Sequence, residues 1–427
     1  MKCEEIICNR FIKPLKGKKT GTVGTELEFP LLNLEKKPID PETALGLLTH
    51  FLWHGGFEVS GPDAKGRPAF ITNAYGDCIS FDNSYNNIEF SMNFCGNLCE
   101  IKNRFYSYLT QAQEYLAPKG YIITGMGTNP YKKFITQSHV DYPVYNMVDE
   151  YLHKFDCEKT HAFPDFPAYL SSVQTHLDVN ESELPKAATL FARIDFLRCI
   201  LFANSPDFDF NGVLCYRDFL WHKSAFGLCA KNTGPVDEKY ETISDIQKSF
   251  YRRSMFNCIR DGKYVSFKPV LLEDYFEVNP ESDIEQFLSF RHIETTCRGT
   301  LEIRSDCSQP LSEAMIPPAF NLGILVNLDK AVSITEAFFD GRNIKNSYLR
   351  NLAANGIEIT EFTKDRLKKY ALDMSETAFD GLKSRNLGEE KLLEPIFGRA
   401  ESLRCPTKYT LENKDRIDEV IKKYSEI

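Results

Sequence analysis

The sequence predicts an α+β protein in which strands carry the polar side chains of interest and helices cover one side of the sheet. Short runs of alternating apolar and polar residues recur before about residue 310 and are typical of half-buried strands. Apolar residues at helical spacing separate these runs, and the chain from about residue 316 onward is predicted to be mainly helical. No Gly/Ser-rich, Pro-rich or single-sign charged linker interrupts the 427 residues, so one large unit is as compatible with the sequence as several small domains. We predict a single domain over 1–427.

The individual elements follow from these patterns in chain order. Strands are predicted at 21–33, 70–75, 78–82, 87–93, 121–130, 171–180 and 299–306, and helices at 41–57, 97–116 and 185–201. The strands at 78–82 and 87–93 flank an Asn/Ser/Tyr turn and form a predicted hairpin. Pro185 is expected to open a helix that continues until the sequence NSPDF. Short helical or strand pieces are expected at 251–276.

The composition excludes several classes of function. With 42% hydrophobic and 26% charged residues, the chain resembles an ordinary globular protein. Its formal net charge of -9 argues against nucleic-acid binding, which usually needs a basic surplus. No stretch approaches the roughly 20 apolar residues that cross a bilayer, and the first apolar run is too short for a signal-peptide core. We therefore expect a cytoplasmic protein that binds no nucleic acid and no membrane.

The thirteen cysteines show no metal-binding spacing. They include Cys157 and Cys229, and none forms a CxxC pair or a Cys/His cluster at zinc spacing. In a cytosolic chain we expect them to be reduced and to act as small apolar side chains. Cys95 and Cys99, four residues apart, could be redox partners, although packing is the simpler interpretation.

Acidic residues occupy strand positions that a simple amphipathic pattern would fill with apolar side chains. Glu26 and Glu28 are two residues apart in a predicted strand, so both carboxylates project from one face. Glu89 and Glu302 each stand alone in an apolar run. Four carboxylates gathered on a common face would need a cation, and Mg²⁺ prefers carboxylate and phosphate oxygens. The alternative is that each acid lies on a solvent-exposed face.

A second group of polar side chains has the same two-residue spacing. Gln174 and His176 are co-facial and could bind a metal or a substrate, whereas the alternative for His176 is a buried, hydrogen-bonded histidine. Arg304 follows Glu302 by two residues and could support phosphoryl transfer, and Arg217 could bind a carboxylate or phosphate. Either arginine could instead form a surface salt bridge. The sequence has no GxxxxGK[ST] loop, so metals and arginines would have to hold ATP.

Several motifs resemble, in order, those of the glutamate–cysteine ligase family, in the branch of plant and many bacterial enzymes that is related to glutamine synthetase. The motifs are GTELEFPL at 24–31, GDCISFDNSYNNIEFS at 76–91, GMGTNP at 125–130, SSVQTHLDV at 171–179, LFANSPDF at 201–208, YRDFLW at 216–221, TLEIRSD at 300–306 and GLKSRNLGEEKLLEP at 381–395. The resemblance implies an antiparallel sheet curved into a half-barrel, with the active site in its concavity and helices outside.

The resemblance also implies roles for individual residues. The implied metal ligands are Glu26, Glu28, Glu89, Glu302 and His176, and the implied nucleotide-binding residues are Gln174, His176 and Arg304. Arg217 and Arg304 would be catalytic. Arg217 would bind a substrate carboxylate. Apart from the resemblance, Arg298 and Arg291 are basic candidates for binding the amino-acid carboxylates. His176 stands where the plant-like members have an asparagine, so the resemblance supports the glutamates as metal ligands more strongly than it supports His176.

The chemistry that the resemblance implies is ATP-dependent ligation with two or three Mg²⁺ ions. The γ-carboxylate of glutamate would attack the γ-phosphate of ATP, and the amine of cysteine would displace phosphate to give γ-glutamylcysteine, as in glutathione biosynthesis. The alternatives are a γ-glutamyl ligase that uses another amino acid or amine, and a non-catalytic homologue that binds ATP or an amino acid. We expect a monomer or a homodimer.

Overall fold

An open antiparallel sheet lies at the centre of the computed structural model, which describes residues 2–135, 139–154, 161–207, 209–224 and 230–427. The strands are β1 Val23–Asn33, β2 Phe57–Pro62, β3 Pro68–Asn73, β4 Cys78–Phe81, β5 Asn87–Cys95, β6 Tyr121–Ile123, β7 Ser172–Leu177, β8 Thr233–Gly234, β9 Ser254–Arg260, β10 Lys263–Leu271, β11 Phe290–Arg291, β12 Ile293–Thr295 and β13 Leu301–Cys307. The main sheet has the order β12-β13-β7-β1-β5-β4-β3-β2, and β6 pairs with the end of β1. Strands β9 and β10 form an antiparallel pair, and β8 and β11 a parallel one.

Helices surround this sheet and dominate the carboxy-terminal part. They are α1 Lys2–Ile7, α2 Pro41–His54, α3 Leu98–Leu116, α4 Pro143–Lys154, α5 Leu184–Arg193, α6 Asp195–Phe202, α7 Tyr216–Ser224, α8 Ile243–Tyr251, α9 Leu272–Val278, α10 Ile316–Val326, α11 Leu328–Phe339, α12 Asn346–Ala354, α13 Lys364–Ser384, α14 Glu394–Ser402, α15 Pro406–Glu412 and α16 Ile417–Tyr424. The predicted α+β class, an antiparallel sheet with helices packed outside it, is confirmed, and the sheet is not closed. The extent of a single domain over 1–427 stays a prediction.

The two faces of the sheet differ because side chains alternate along each strand. One face is apolar and packs on helices: Phe105 of α3 lies against Phe29 of β1 and Phe90 of β5, with ring centroids 5.8 and 5.5 Å apart. Helix α10 packs behind β7, and α6 behind β13. The other face carries the acidic residues. Because the helices cover the apolar face, the acidic side chains all project from the opposite face.

Close helix packing supports the apolar face from behind. Helix α10 lies directly against α13, where Gly323 faces Ala378 and Gly381. A Cβ atom at Gly323 would lie 2.2 Å from the carbonyl oxygen of Ala378, and one at Gly381 would lie 2.2 Å from the carbonyl oxygen of Gly323. Larger side chains at these two glycines would force the helices apart.

Three predicted elements need correction. The helix at 41–57 ends at His54, and Phe57 starts β2, which the sequence analysis missed. The helix at 185–201 is two helices, because Ile194 leaves helical geometry with φ -90° and ψ 4° between α5 and α6. The strand predicted at 121–130 is shorter, because β6 covers only Tyr121–Ile123. The short pieces expected at 251–276 are confirmed: they are the β9–β10 hairpin followed by α9. The predicted hairpin of β4 and β5 and the helix α3 are confirmed.

Within the described residues, no single helix is long and apolar enough to cross a membrane, although the segments Leu311–Val326 and Leu328–Phe339 reach that level as a pair bent by 94°.

Candidate metal centre and active site

Two clusters of potential metal ligands lie side by side on the polar face of the sheet. One consists of Glu26, His176 and Glu302, and the other of Glu28, Asp82 and Glu89. In each cluster, one ligand atom from every residue lies within 4.8 Å of the others. The strand register explains this: Glu28 pairs directly with Glu89, and Glu302 with His176. Like charges that face each other across a sheet are destabilising, so the Glu28–Glu89 pair needs compensation.

Protein donors hold Glu28 from one side. Its Oε2 accepts a hydrogen bond from the backbone N–H of Ser172 at 2.8 Å, and its Oε1 accepts one from Nε2 of Gln174 at 2.7 Å. The Oε1 atom of Gln174 is buried and has no partner among the described residues. Gln174 therefore orients the Glu28 carboxylate and leaves one acceptor oxygen for a bound group.

His176 connects the two carboxylates of the other cluster. Its Nε2 lies 3.1 Å from Oε1 of Glu26 and 3.5 Å from Oε1 of Glu302. Burial alone would lower the pKa of His176, but the charges of Glu302 and Glu26 outweigh burial and raise it. In this arrangement the protonated imidazole of His176 supplies the positive charge between the Glu26 and Glu302 carboxylates. A metal ligand must be a neutral imidazole, so a bound metal would have to displace that proton.

The pKa values show that the carboxylates are crowded. Burial raises the pKa of Glu28 and, together with the charges of Glu26, Asp82 and Glu28, raises that of Glu89 well above its ordinary value. Burial and the charges of Glu28 and Glu26 raise the pKa of Asp82 to about 7. Burial opposes ionisation of Glu26 too, but the hydrogen bond and charge of His176 outweigh it and lower the pKa to about 2. The cluster of Glu28, Asp82 and Glu89 thus carries more negative charge than the charges of the nearby arginines offset.

The two predicted arginines border the clusters from different directions. Arg304 forms an ion pair with Glu302, and its guanidinium lies 5.8 Å from the ring centroid of Phe290. Arg217 is buried on α7, and its charge acts on Glu28. The Nε atom of Arg217 is buried and has no partner in the part of the chain that the structure describes. Arg217 therefore has donor capacity left for a substrate carboxylate or phosphate.

The other two basic candidates differ in position. Arg298 is exposed in the turn between β12 and β13, and its charge reaches Glu26 and His176. Arg291 is buried, and its Nη2 donates to Oε2 of Glu238 at 2.8 Å. Arg298 thus lies at the edge of the polar face, whereas Arg291 already has a carboxylate partner.

Asp82 is the site residue that the sequence analysis missed. It directly follows β4, and its carboxylate lies with Glu28 and Glu89. The available signal was the motif SFDNS, in which an acid ends a buried strand whose neighbour carries Glu89. Tyr145 of α4 also contacts Asp82, and burial with the charges of Asp82 and Glu89 raises the pKa of Tyr145 far above its usual value.

The eleven cysteines among the described residues are free thiols. The Sγ of Cys95 lies 3.4 Å from Oε2 of Glu100, and that of Cys99 lies 3.9 Å from the carbonyl oxygen of Leu387, so each has a separate contact. Cys157 and Cys229 lie outside the described residues.

No family model matches the sequence, and no curated protein matches it. Among similar solved structures, a glutamate–cysteine ligase from Francisella tularensis in complex with AMP is 11% identical with a TM-score of 0.45, over 95% of this chain and 90% of that one. A bifunctional glutathione synthetase from Pasteurella multocida is 14% identical with a TM-score of 0.43, over 98% of this chain and 54% of that one, so this chain spans about half its length. The ligase PafA in complex with the ubiquitin-like protein Pup is 13% identical with a TM-score of 0.40, over 98% and 71%. Likeness at this level assigns no activity.

Proposed function

We propose that this protein is an ATP-dependent ligase that joins the γ-carboxyl group of glutamate to an amine, with cysteine as the amine donor. The observation that carries the proposal is the pair of ligand clusters on one sheet face, Glu26/His176/Glu302 and Glu28/Asp82/Glu89, with Arg304 and Arg217 at their borders. Such a face suits a reaction in which a triphosphate and a carboxylate must approach each other despite their negative charges.

The donor set fits Mg²⁺. Five of the six clustered side chains offer carboxylate oxygens, which Mg²⁺ prefers. A buried oxygen of Gln174 lies nearby and has no hydrogen-bond partner among the described residues. Burial raises the pKa of Glu28 and that of Glu89, and divalent cations would offset the charge of these acids. We propose that one ion binds at each cluster and that a third ion can bind together with the triphosphate. When bound, such ions neutralise phosphate oxygens and align them for transfer.

The chain's own residues would contribute binding and charge stabilisation. Arg304 would donate hydrogen bonds to the oxygens of the γ-phosphoryl group while that group is transferred from ATP to the glutamate γ-carboxylate. The proposed product of that step is an acyl phosphate, and attack by the amine then releases phosphate and forms the amide. Arg217, whose Nε has no partner in the described part of the chain, and Arg298 would bind substrate carboxylates. Gln174 would keep the Glu28 carboxylate oriented through its 2.7 Å hydrogen bond.

The decisive experiment measures ADP release by the purified protein with ATP, Mg²⁺ and glutamate, adding each of the twenty amino acids in turn and identifying products by mass. We expect turnover with cysteine and formation of γ-glutamylcysteine. Turnover with another amine would keep the ligase class and change the acceptor. ADP release with glutamate alone, or none under any condition, would contradict the ligase proposal. A Glu28→Gln variant controls for contaminating ATPases, because it should release no ADP.

A cytoplasmic location and a monomeric or homodimeric state stay predictions from the sequence.

A further inference from the structure

Strand β13 contains a β-bulge beside the carboxylate clusters. Ile303 pairs with Thr175 of β7, whereas Asp306 pairs with Val173. Moving from the first pair to the second takes one residue more on β13 than on β7, so the extra residue lies at 304–305. Bulges bend a strand and change the direction of its side chains, and they are frequent next to active sites. This bulge therefore determines where the side chain at 304 points.

The bulge separates an arginine from an acid that simple alternation would place on the same face. Without it, Glu302, Arg304 and Asp306 would all project from the polar face. In the structure Arg304 forms its ion pair with Glu302. Asp306 is buried on the helix-covered side, where Nη2 of Arg198 in α6 donates to its Oδ2 at 2.9 Å. The bulge thus keeps Arg304 on the polar face and removes a further acid from the neighbourhood of the clusters.

Asp195, the buried first residue of α6, holds this bulge from the helix-covered side. Its Oδ1 accepts a hydrogen bond from the Ser305 hydroxyl at 2.6 Å, so the residue that follows Arg304 is fixed directly. Its Oδ2 lies 2.7 Å from Nδ1 of His292, whose carbonyl oxygen accepts a hydrogen bond from the backbone N–H of Arg304 at 2.9 Å. One carboxylate therefore restrains both the neighbour of Arg304 along the strand and its backbone hydrogen-bond partner.

Two buried arginines restrain Ser305 as well. Nη2 of Arg198 donates a hydrogen bond to the Ser305 hydroxyl oxygen at 3.0 Å, and Nη2 of Arg350 donates one to its carbonyl oxygen at 3.0 Å. Both arginines are 1% exposed, and hydrogen bonds in such a dry environment are stronger than those in water. The backbone of β13 is therefore held at the bulge by contacts from α6 and α12, independently of the polar face.

We propose that Ser305 and Asp195 are positioning residues for the ligase reaction, because they fix the bulge of β13 and thereby aim the Arg304 guanidinium at the transferred phosphoryl group. The inference rests on the proposed function for the role of Arg304. Hydrogen bonds from a guanidinium are directional, so a small change in the position of Arg304 should slow the transfer step. Ser305 and Asp195 act through Arg304 and contact no substrate in this proposal.

The test is a double-mutant cycle of Ser305→Ala and Arg304→Lys in the full chain, measured by steady-state kinetics with varied glutamate. Ser305→Ala removes the hydrogen bond to Asp195, and we expect kcat to fall about tenfold while the KM for glutamate stays within about twofold. In the Arg304→Lys background the same substitution should lower kcat less than about threefold, because the planar fork is already absent. An equal loss of kcat in both backgrounds, or no loss in the wild-type background, would overturn the proposal.

A nuclear magnetic resonance measurement distinguishes failure of this proposal from failure of the ligase function. In protein that contains isotopically labelled arginine, the Nε–H resonance of Arg304 is assigned by its loss in Arg304→Lys, and we expect it to shift in Ser305→Ala. This measurement needs no turnover. A wild type with turnover and an unshifted Arg304 resonance in Ser305→Ala would overturn the positioning role alone. A wild type without turnover would contradict the ligase function, and the positioning role with it.

Ser375→Ala is the matched control, because Ser375 is equally buried on α13 and its hydroxyl donates to the carbonyl oxygen of Ala371 at 2.7 Å. It should leave both kcat and the Arg304 resonance unchanged. If Ser305→Ala does not fold, Ser305→Cys takes its place, since a thiol fills the position but donates only weakly. Ser305→Cys should also lower kcat and shift the resonance, and wild-type values of both would overturn the proposal.

Discussion

Two buried groups of charged side chains lie on opposite sides of β13, and they differ in their balance of acidic and basic residues. The polar face carries Glu26, Glu28, Asp82, Glu89 and Glu302 against His176, Arg217 and Arg304. The helix-covered side carries Asp195, Asp218 and Asp306 against Arg198, Arg350 and His292. The first group has an excess of acid, whereas the second has one cationic or imidazole partner for each acid. The difference shows that burial of charge alone does not mark a functional site, because a balanced cluster can serve structure.

The hydrogen bonds of the balanced group show how its charge is satisfied. Arg350 binds Asp218 through two hydrogen bonds, of 2.6 and 3.0 Å, and its Nη1 reaches the carbonyl oxygen of Asp195 at 2.8 Å. Arg198 binds Asp306 in the same two-point manner, at 3.2 and 2.9 Å. Two-point contacts of this kind are the strongest ion pairs in proteins. On the polar face, by contrast, the Glu28 and Glu89 carboxylates face each other directly, so bound cations would be needed to neutralise them.

Removing a partner from the balanced group should give the largest effect. Arg350→Met leaves Asp195 and Asp218 buried without their main cation, and losing one member of a buried pair costs about 3 to 5 kcal/mol. Urea unfolding of the wild type and the variant measures this difference. Lys330→Met is the control, because Lys330 forms an exposed ion pair with Asp380. A loss below 1 kcal/mol in Arg350→Met would show that the cluster is not structural.

The corresponding substitution on the polar face, Glu28→Gln, should abolish activity without lowering the free energy of unfolding. Glu28→Gln removes one of the crowded acids, so we expect at least about a 10³-fold loss of turnover, or roughly 4 kcal/mol of transition-state stabilisation. In EDTA the free energy of unfolding should stay equal or rise, since repulsion with Glu89 is relieved. Glu35→Gln, at an exposed position, should retain activity. Near-normal turnover of Glu28→Gln would refute the assignment.

Arg304→Lys tests geometry rather than charge at the border of the clusters. Lysine keeps the positive charge but loses the planar fork, so kcat should fall by about 10²-fold, whereas the KM for glutamate should change little. Steady-state kinetics with varied glutamate separate the two parameters. An equal loss in both would indicate that Arg304 binds glutamate in the ground state.

Mg²⁺ should stabilise the folded protein even without substrates. A ligand present at about 100 times its Kd adds roughly 2.7 kcal/mol, which thermal unfolding detects as a rise in Tm. Glu89→Gln removes a member of one cluster and should reduce this rise, while Asn103→Trp, at an exposed position of α3, should not. An equal Tm shift in the wild type and in Glu89→Gln would mean that Mg²⁺ binds elsewhere.

The strands of the acidic face were predictable because alternation is a local signal. The two-residue spacings of Glu26 with Glu28 and of Gln174 with His176 place each pair on one face of any strand. The break at Ile194 was not predictable, because the apolar spacing continues through it. It puts Asp195 at the start of α6, where long-range contacts with His292 and Arg350 hold it.

Asp82 and the balanced cluster show why the site was only partly predictable. Asp82 ends a strand, and only the pairing of β4 with β5 places it near Glu89. Arg350 and Asp218 are far apart in sequence and meet through packing of α12 on α6 and α7. Pairing across the sheet and between helices depends on the whole chain, so local patterns reveal candidate acids but not their partners.

The smallest expected effect is the pH dependence that the acid excess imposes on the metal-free protein. Burial and the charges of Glu28 and Glu26 raise the pKa of Asp82 to about 7, whereas an unfolded aspartate titrates near 3.9. Between about pH 4 and 7 the folded state therefore holds more protons than the unfolded state. The free energy of unfolding should fall as pH rises through this window, by up to about 1.4 kcal/mol per pH unit from this group.

Urea unfolding in EDTA at pH 5, 6 and 7 measures this slope, and Asp82→Asn should flatten it because asparagine does not titrate. Other groups titrate in the same range, so the informative quantity is the wild-type slope minus the variant slope. The balanced cluster supplies the contrast: Asp195 has a lowered pKa and contributes stability at all three pH values. If the two slopes are equal, Asp82 carries no excess proton, and the acids of the polar face are less crowded than their positions imply.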